Sequence, residues 1–167
     1  MEYYVNIPYP PIEVNEKNPI YANLILLNYA GSVSELSAVT QYVYHEIAFS
    51  DNKYPDISET IKGISIVEMH HLQILGELIV KLGKDPGYWI YKHKKTNLWT
   101  PEFLSFNTDL KKALTIDIID EKEAIAQYKR TAKQIDDTHI VDIIDRIILD
   151  EEYHIKLFTE LYDKYVL

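Results

Sequence analysis

Four glutamates and two histidines hold most of the chemistry in this sequence, because they belong to one pattern written twice. Glu35-Leu36-Ser37-Ala38-Val39-Thr40-Gln41-Tyr42 is followed about thirty residues later by Glu68-Met69-His70-His71-Leu72-Gln73-Ile74-Leu75. Glu121-Lys122-Glu123-Ala124-Ile125-Ala126-Gln127-Tyr128 is followed at a similar interval by Glu151-Glu152-Tyr153-His154-Ile155-Lys156-Leu157-Phe158. Both copies reduce to Glu-x-x-Ala-[Val/Ile]-x-Gln-Tyr and then Glu-x-x-His. One acid on one helix and Glu-x-x-His on the next, repeated, is the donor set of a two-metal site inside a helical bundle. A Glu and a His three apart share a helix face and reach the same ion. Four ionised carboxylates balance two divalent cations, and each imidazole adds one neutral donor. On this reading the metal ligands are Glu35, Glu68, His71, Glu121, Glu151 and His154, with Glu35 and Glu121 terminal and Glu68 and Glu151 bridging. Such a donor set favours two Fe ions, with Mn as the alternative, over structural zinc, which prefers closed tetrahedral sites.

A single Glu-x-x-His on a helix is ordinarily a solvated pair. Here both copies interrupt apolar stripes: Ile61, Ile64, Glu68, His71, Leu75 and Ile79 in one helix, Ile144, Ile147, Glu151, His154 and Phe158 in another. An acid buried without a partner costs several kcal/mol, so four on such stripes imply a compensating cation. Tyr42 and Tyr128 each follow a candidate ligand by two turns, placed either to donate to carboxylates of the opposite helix pair or to serve as core aromatics. Glu123 falls off the apolar stripe of its helix and reads as a solvated acid. His70 and Glu152 adjoin ligands and therefore point elsewhere. Glu46 shares the face of Glu35, as an inner acid or an ion-path residue. His45 and His93 read as ordinary polar positions.

Four helices must position these residues. Pro8, Pro10, Pro11 and Pro19 keep residues 1–20 as an extended arm, leaving 21–167 for the bundle. The first helix runs from about Tyr21 to Ala48. A loop follows over Ser50–Pro55, and a second helix starts near Ser58 and ends at Gly83, in the left-handed position that follows a helix end. The segment 84–107, with Pro86, Gly87, Trp89, Trp99 and Pro101, is a long crossover, read as an interface patch or a lid over the bundle end. Two further helices, broken near Asp136-Asp137-Thr138, complete an all-α up-down bundle, with Asp137 or Thr138 capping the last. Short connections make helices one and two, and three and four, antiparallel neighbours.

Composition narrows the class. The 167 residues carry a formal net charge of −9 and 47% hydrophobic residues, a globular balance that argues against nucleic acid or an anionic membrane as partner. The sequence has no cysteine, which removes thiolate catalysis and iron–sulfur ligation and fits a reducing, cytoplasmic compartment. Neither a signal peptide nor a membrane span is visible.

The chain resembles the ferritin-like superfamily of di-metal carboxylate proteins, especially those of rubrerythrin and manganese-catalase type. The likeness covers about residues 21–164, and Ala30-Gly31-Ser32-Val33-Ser34-Glu35-Leu36 with Gln41-Tyr42 is similar to the first helix of rubrerythrin-like proteins. The resemblance implies the same six ligands. It further implies a ferritin-like four-helix bundle with one long crossover between helices 2 and 3, and a homo-oligomer, favouring a dimer. It also implies a redox enzyme acting on H2O2 or O2, by peroxidase or catalase-like chemistry. The alternative is iron oxidation and binding for storage or transfer without substrate turnover. Rubrerythrins commonly carry a rubredoxin-like module with Cys-x-x-Cys pairs; here a peroxidase cycle would draw on an external electron donor.

Overall fold

The computed structural model describes residues 2–50 and 54–167; Asp51, Asn52 and Lys53 of the expected loop lie outside the described residues. Among the described residues five α-helices run in the order α1 (Pro19–Ala30), α2 (Glu35–Ala48), α3 (Pro55–Lys81), α4 (Leu110–Ala132) and α5 (Thr138–Tyr165). The first expected helix is therefore two. Gly31 ends α1, and Ser34 starts α2 by accepting from the Ser37 amide. The Ser34 and Ser37 hydroxyls both donate to the Gly31 carbonyl, the local competition by which serine interrupts a helix. Gln127 bridges the break from α4, donating to the carbonyls of Leu27 and Val33. The interruption makes Glu35 the first residue of a helix.

The other helix ends follow local rules. Pro19 and Pro55 occupy first-turn positions, where proline's missing N–H is no loss; both helices thus start earlier than the apolar pattern suggests. After α3, Gly83 takes φ 90°, and the Gly83 and Lys84 amides bond to the Val80 and Ile79 carbonyls, a Schellman motif. Asp137 caps α5 by accepting from the His139 amide.

The crossover holds structure that the sequence reading missed. Strands β1 (Trp89–Lys92) and β2 (Lys95–Leu98) form an antiparallel hairpin. Its turn is His93-Lys94, both at positive φ, as a two-residue turn matching strand twist requires. A 3-10 turn, Pro101–Phe103, follows. The crossover is tied to α2 by hydrogen bonds: Trp99 Nε1 donates to Ser37 Oγ at 3.0 Å, the Ser105 amide to Gln41 Oε1 at 2.8 Å, and Tyr44 Oη to the Phe106 carbonyl at 3.2 Å.

In the bundle, α2 packs on α3 and α4 on α5. The apolar core divides in two. Ile25, Leu26, Leu75, Leu78, Ile143 and Ile147 fill one cluster; Ile57, Ile61, Ile64, Ala113, Leu114 and Phe158 fill the other. Along α3 and α5 the candidate ligands fall between the residues of these two clusters, a polar layer held within an apolar interior. Among the described residues no helix is long and apolar enough to cross a membrane.

Candidate metal centre

The repeat becomes a geometric object at mid-bundle. Glu35 comes from α2, Glu68 and His71 from α3, Glu121 from α4, Glu151 and His154 from α5, and all six are buried. Their donor atoms form two groups, each with its atoms within 4.8 Å of one another: Glu35, Glu68, His71 and Glu151; and Glu68, Glu121, Glu151 and His154. Glu68 and Glu151 belong to both. His71 Nδ1 lies 3.0 Å from Glu68, 3.2 Å from Glu151 and 3.6 Å from Glu35. His154 Nδ1 lies 2.8 Å from Glu68, 3.3 Å from Glu151 and 3.8 Å from Glu121.

Several of these approaches are close without being hydrogen bonds. Glu68 Oε1 and Glu151 Oε1 are buried and accept no hydrogen bond, although an imidazole nitrogen stands 2.8 and 3.2 Å away respectively. The nitrogens are near but not aimed as donors. Donors in cis positions around one ion, with bonds of about 2.0–2.2 Å, lie about 3 Å apart in this manner. A buried carboxylate oxygen without a donor costs about 1–3 kcal/mol or more. The orphaned oxygens, the mixed oxygen–nitrogen donors and the two overlapping groups fit a di-metal site.

Electrostatics divides the four acids. Burial raises Glu35 well above the usual range, reinforced by Glu68 and Glu151. Burial likewise raises Glu121, with the charges of Glu151 and Glu68 adding to it. Burial pushes Glu68 upward too, but the His154 and His71 imidazoles outweigh it and hold this acid well below normal. In Glu151 burial and the Glu68 charge are outweighed by the nearby His154 and His71 rings, which hold it below the usual range. His154, despite burial, is raised to about 10 by Glu68 and Glu151, and His71 is raised by its acidic neighbours. Without cations, burial thus favours the neutral form of Glu35 and Glu121, while the two rings favour the ionised form of Glu68 and Glu151.

Outside the donors lies a frame. Tyr42 Oη donates to Glu121 Oε1 at 2.6 Å, and Tyr128 Oη donates to Glu35, each reaching across to the other half of the repeat. The outer nitrogens of the two histidines differ in partner. His71 Nε2 meets Tyr9 Oη at 2.9 Å and Asp150 Oδ2 at 3.2 Å; His154 Nε2 meets the Tyr3 carbonyl at 3.0 Å. Although burial opposes it, Asp150 is held at about 2 by bonds from His71, Tyr9, the Val5 amide and Arg146. The sequence reading missed Asp150; the signal was the departure from the repeat, since Asp150 precedes Glu151 where Val67 precedes Glu68.

A second buried cluster was also missed. His45 and Asp117, both fully buried, pair at 2.9 Å, and Gln41 Nε2 donates to Asp117 and to Asp120. His45 is not an ordinary polar position. The remaining candidates lie on the surface: Glu46 faces Lys62, Glu152 faces Lys129, Glu123, His70 and His93 are exposed, and the ring of His70 abuts Tyr9.

A cavity of about 40 Å³ reaches the centre, walled by Glu35, Tyr42, Glu68, Glu121 and Glu151, with Ser34, Asp120 and Phe103 also on its lining. One water needs about 10–15 Å³ by this measure, so the space suits two or three water-sized molecules. Burial lifts Asp120 to about 6, with the Gln41 amide opposing.

The profile of the rubrerythrin family matches residues 26–162. A probable manganese catalase of Clostridium acetobutylicum is 27% identical, the alignment covering 92% of this chain and 75% of that protein. A bacterioferritin of Brucella melitensis is 31% identical over 72% of this chain and 71% of its own length. In fold, the chain matches a manganese catalase from Anabaena with a TM-score of 0.84 and 24% identity, covering 98% of this chain and 80% of that one. It matches a Mycobacterium tuberculosis bacterioferritin with a TM-score of 0.72 and 22% identity, covering 89% of each. With its paired Glu-x-x-His helices, its acids at mid-bundle and a family match spanning most of its length, this chain belongs to the rubrerythrin family of ferritin-like di-metal proteins.

Proposed function

We propose that this protein disproportionates hydrogen peroxide, with Glu35, Glu68, His71, Glu121, Glu151 and His154 holding two redox-active ions. The observation that carries the reading is the pair of overlapping donor groups sharing Glu68 and Glu151, beside a cavity sized for a peroxide. When bound, two neighbouring ions supply a two-electron couple that can oxidise one peroxide to O2 and reduce another to water.

The chain's own residues do the rest. Glu68 and Glu151, shared by both donor groups, would hold both ions, while Glu35 and Glu121 would each hold one. Tyr42 and Tyr128 donate their hydroxyls to Glu121 and Glu35, restricting the swing of both acids. The cavity's volume suits a molecule the size of peroxide. Disproportionation needs no electron donor, in keeping with a chain that has no cysteine and resembles a probable manganese catalase over 92% of its length.

The test is oxygen evolution by metal-loaded protein given H2O2 alone. One O2 for every two peroxides consumed supports the reading. Peroxide loss without O2, and only with an added reductant, would replace it by a peroxidase. A second reading, iron oxidation and binding, draws support from the bacterioferritin relative; Fe(II) oxidised in air and retained well beyond two ions per chain would favour it.

A further inference from the structure

We propose that the N-terminal arm, residues 2–18, is a working part of the metal site: it fixes both histidines through their outer nitrogens, so arm docking and metal binding strengthen one another. The inference rests on the reading of His71 and His154 as ligands.

Both imidazoles turn Nδ1 toward the acids and Nε2 toward the arm. The Tyr3 carbonyl can only accept, so His154 Nε2 must carry a hydrogen and donate. Tyr9 spends its own hydrogen on Asp150, so its oxygen is free to accept from His71 Nε2. The arm therefore offers each outer nitrogen an acceptor, joined at His71 by Asp150 of α5. A ring whose Nε2 donates in this way turns Nδ1 toward the acids, where an ion would take the place of any proton it carries. A histidine whose outer N–H is held in this way is a better oriented and more basic ligand.

The arm is seated in a prepared surface. Val5 donates its amide to Asp150 Oδ1 at 2.7 Å. Arg146, itself buried, donates Nε to the Ile7 carbonyl at 2.8 Å and Nη2 to the Val5 carbonyl at 2.6 Å. Its guanidinium covers the Tyr9 ring at 4.2 Å. Gly63 of α3 leaves a notch for the Tyr3 ring: a Cβ there would stand 2.1 Å from Tyr3 Cδ2. Yet the arm forms neither helix nor strand of its own, so it can lift from the bundle while the bundle stays folded. Docking that orients two ligands must raise metal affinity, and metal must stabilise docking by the same factor. Tyr9 and Tyr3 are thus positioning residues.

Hydrogen exchange of arm peptides, compared in metal-free and Mn-loaded full-length protein, tests the coupling. The expected result is exchange at least about tenfold slower in the loaded form, the ratio that linkage to a 10–100-fold affinity change implies. Tyr9→Phe, which keeps the ring under Arg146, and Gly63→Ala, which crowds Tyr3 from outside the site, should each release Mn to a chelator about 10–100-fold faster. Their metal-free melting temperatures should stay near that of the parent chain. Two ions per parent chain with equal arm exchange in both forms would overturn this proposal alone. A parent chain that binds no ions would overturn the ligand reading and the proposal together.

Discussion

The hydroxyl of Tyr42 on α2 lies 2.6 Å from Glu121 Oε1 on α4, both side chains buried. The bond crosses from one half of the sequence repeat to the other, and Tyr128 returns it by donating to Glu35. Removing the Tyr42 hydroxyl takes from Glu121 the donor that fixes its Oε1. Tyr42→Phe is expected to weaken metal binding about 10–100-fold while leaving the helix content intact, as measured by chelator competition and circular dichroism.

The shared acids should matter more than the terminal ones. Glu68 reaches both donor groups, whereas Glu35 belongs to one. Glu68→Ala is expected to hold no more than one ion per chain, and Glu35→Ala to weaken one ion and retain the other. Elemental analysis after gel filtration checks this, and full occupancy in Glu68→Ala would refute the bridging role.

Metal binding should release protons. In the metal-free cluster Glu35 and Glu121 are raised, as are His71 and His154, the last to about 10. Metal binding requires ionised acids and an unprotonated ligating nitrogen on each ring, so loading should release protons, readable by titration in weak buffer. The same shifts set the stability. An imidazole at about 10 when folded and about 6.5 unfolded stabilises the metal-free chain fully below about 6.5, and that contribution is lost as pH rises through 10. The raised glutamates also favour the metal-free fold less as pH rises above their unfolded value. The gain in melting temperature from metal should therefore be larger at pH 8 than at pH 5; a constant gain would contradict the scheme.

The buried His45–Asp117 pair gives a stability test separate from the donors. Removing one partner of a buried pair leaves the other uncompensated, at a cost of about 3–5 kcal/mol. For a chain of this size His45→Leu should lower the melting temperature by roughly 6–20 °C. His45→Leu with Asp117→Leu should recover part of that loss, because the stranded charge is gone.

The helices that carry the repeat could be read from the sequence because α3 and α5 keep one apolar face over many turns. The six residues that meet at mid-bundle stood out because the repeat writes them twice. What stayed hidden depends on partners distant in sequence. Asp150 is one more acid among three until Tyr9, Arg146 and His71 surround it. His45 gains its meaning only from Asp117, and the Gly31–Ser34 break is fixed partly by Gln127 from another helix. The hairpin at Trp89–Leu98 turns on His93-Lys94 at positive φ, a pair that carries none of the usual Asn-Gly signal.

Val5 and Asp150 stand 145 positions apart, and Tyr3 and His154 stand 151 apart. On a ribosome, which delivers the N-terminal side first, Tyr3 and Val5 emerge long before the α5 residues they bond to. A nascent or truncated chain would carry the acids of α2, α3 and α4 with neither the last Glu-x-x-His nor the strap that closes behind it. Both donor groups draw on α5, so the full set exists only once that helix has been made.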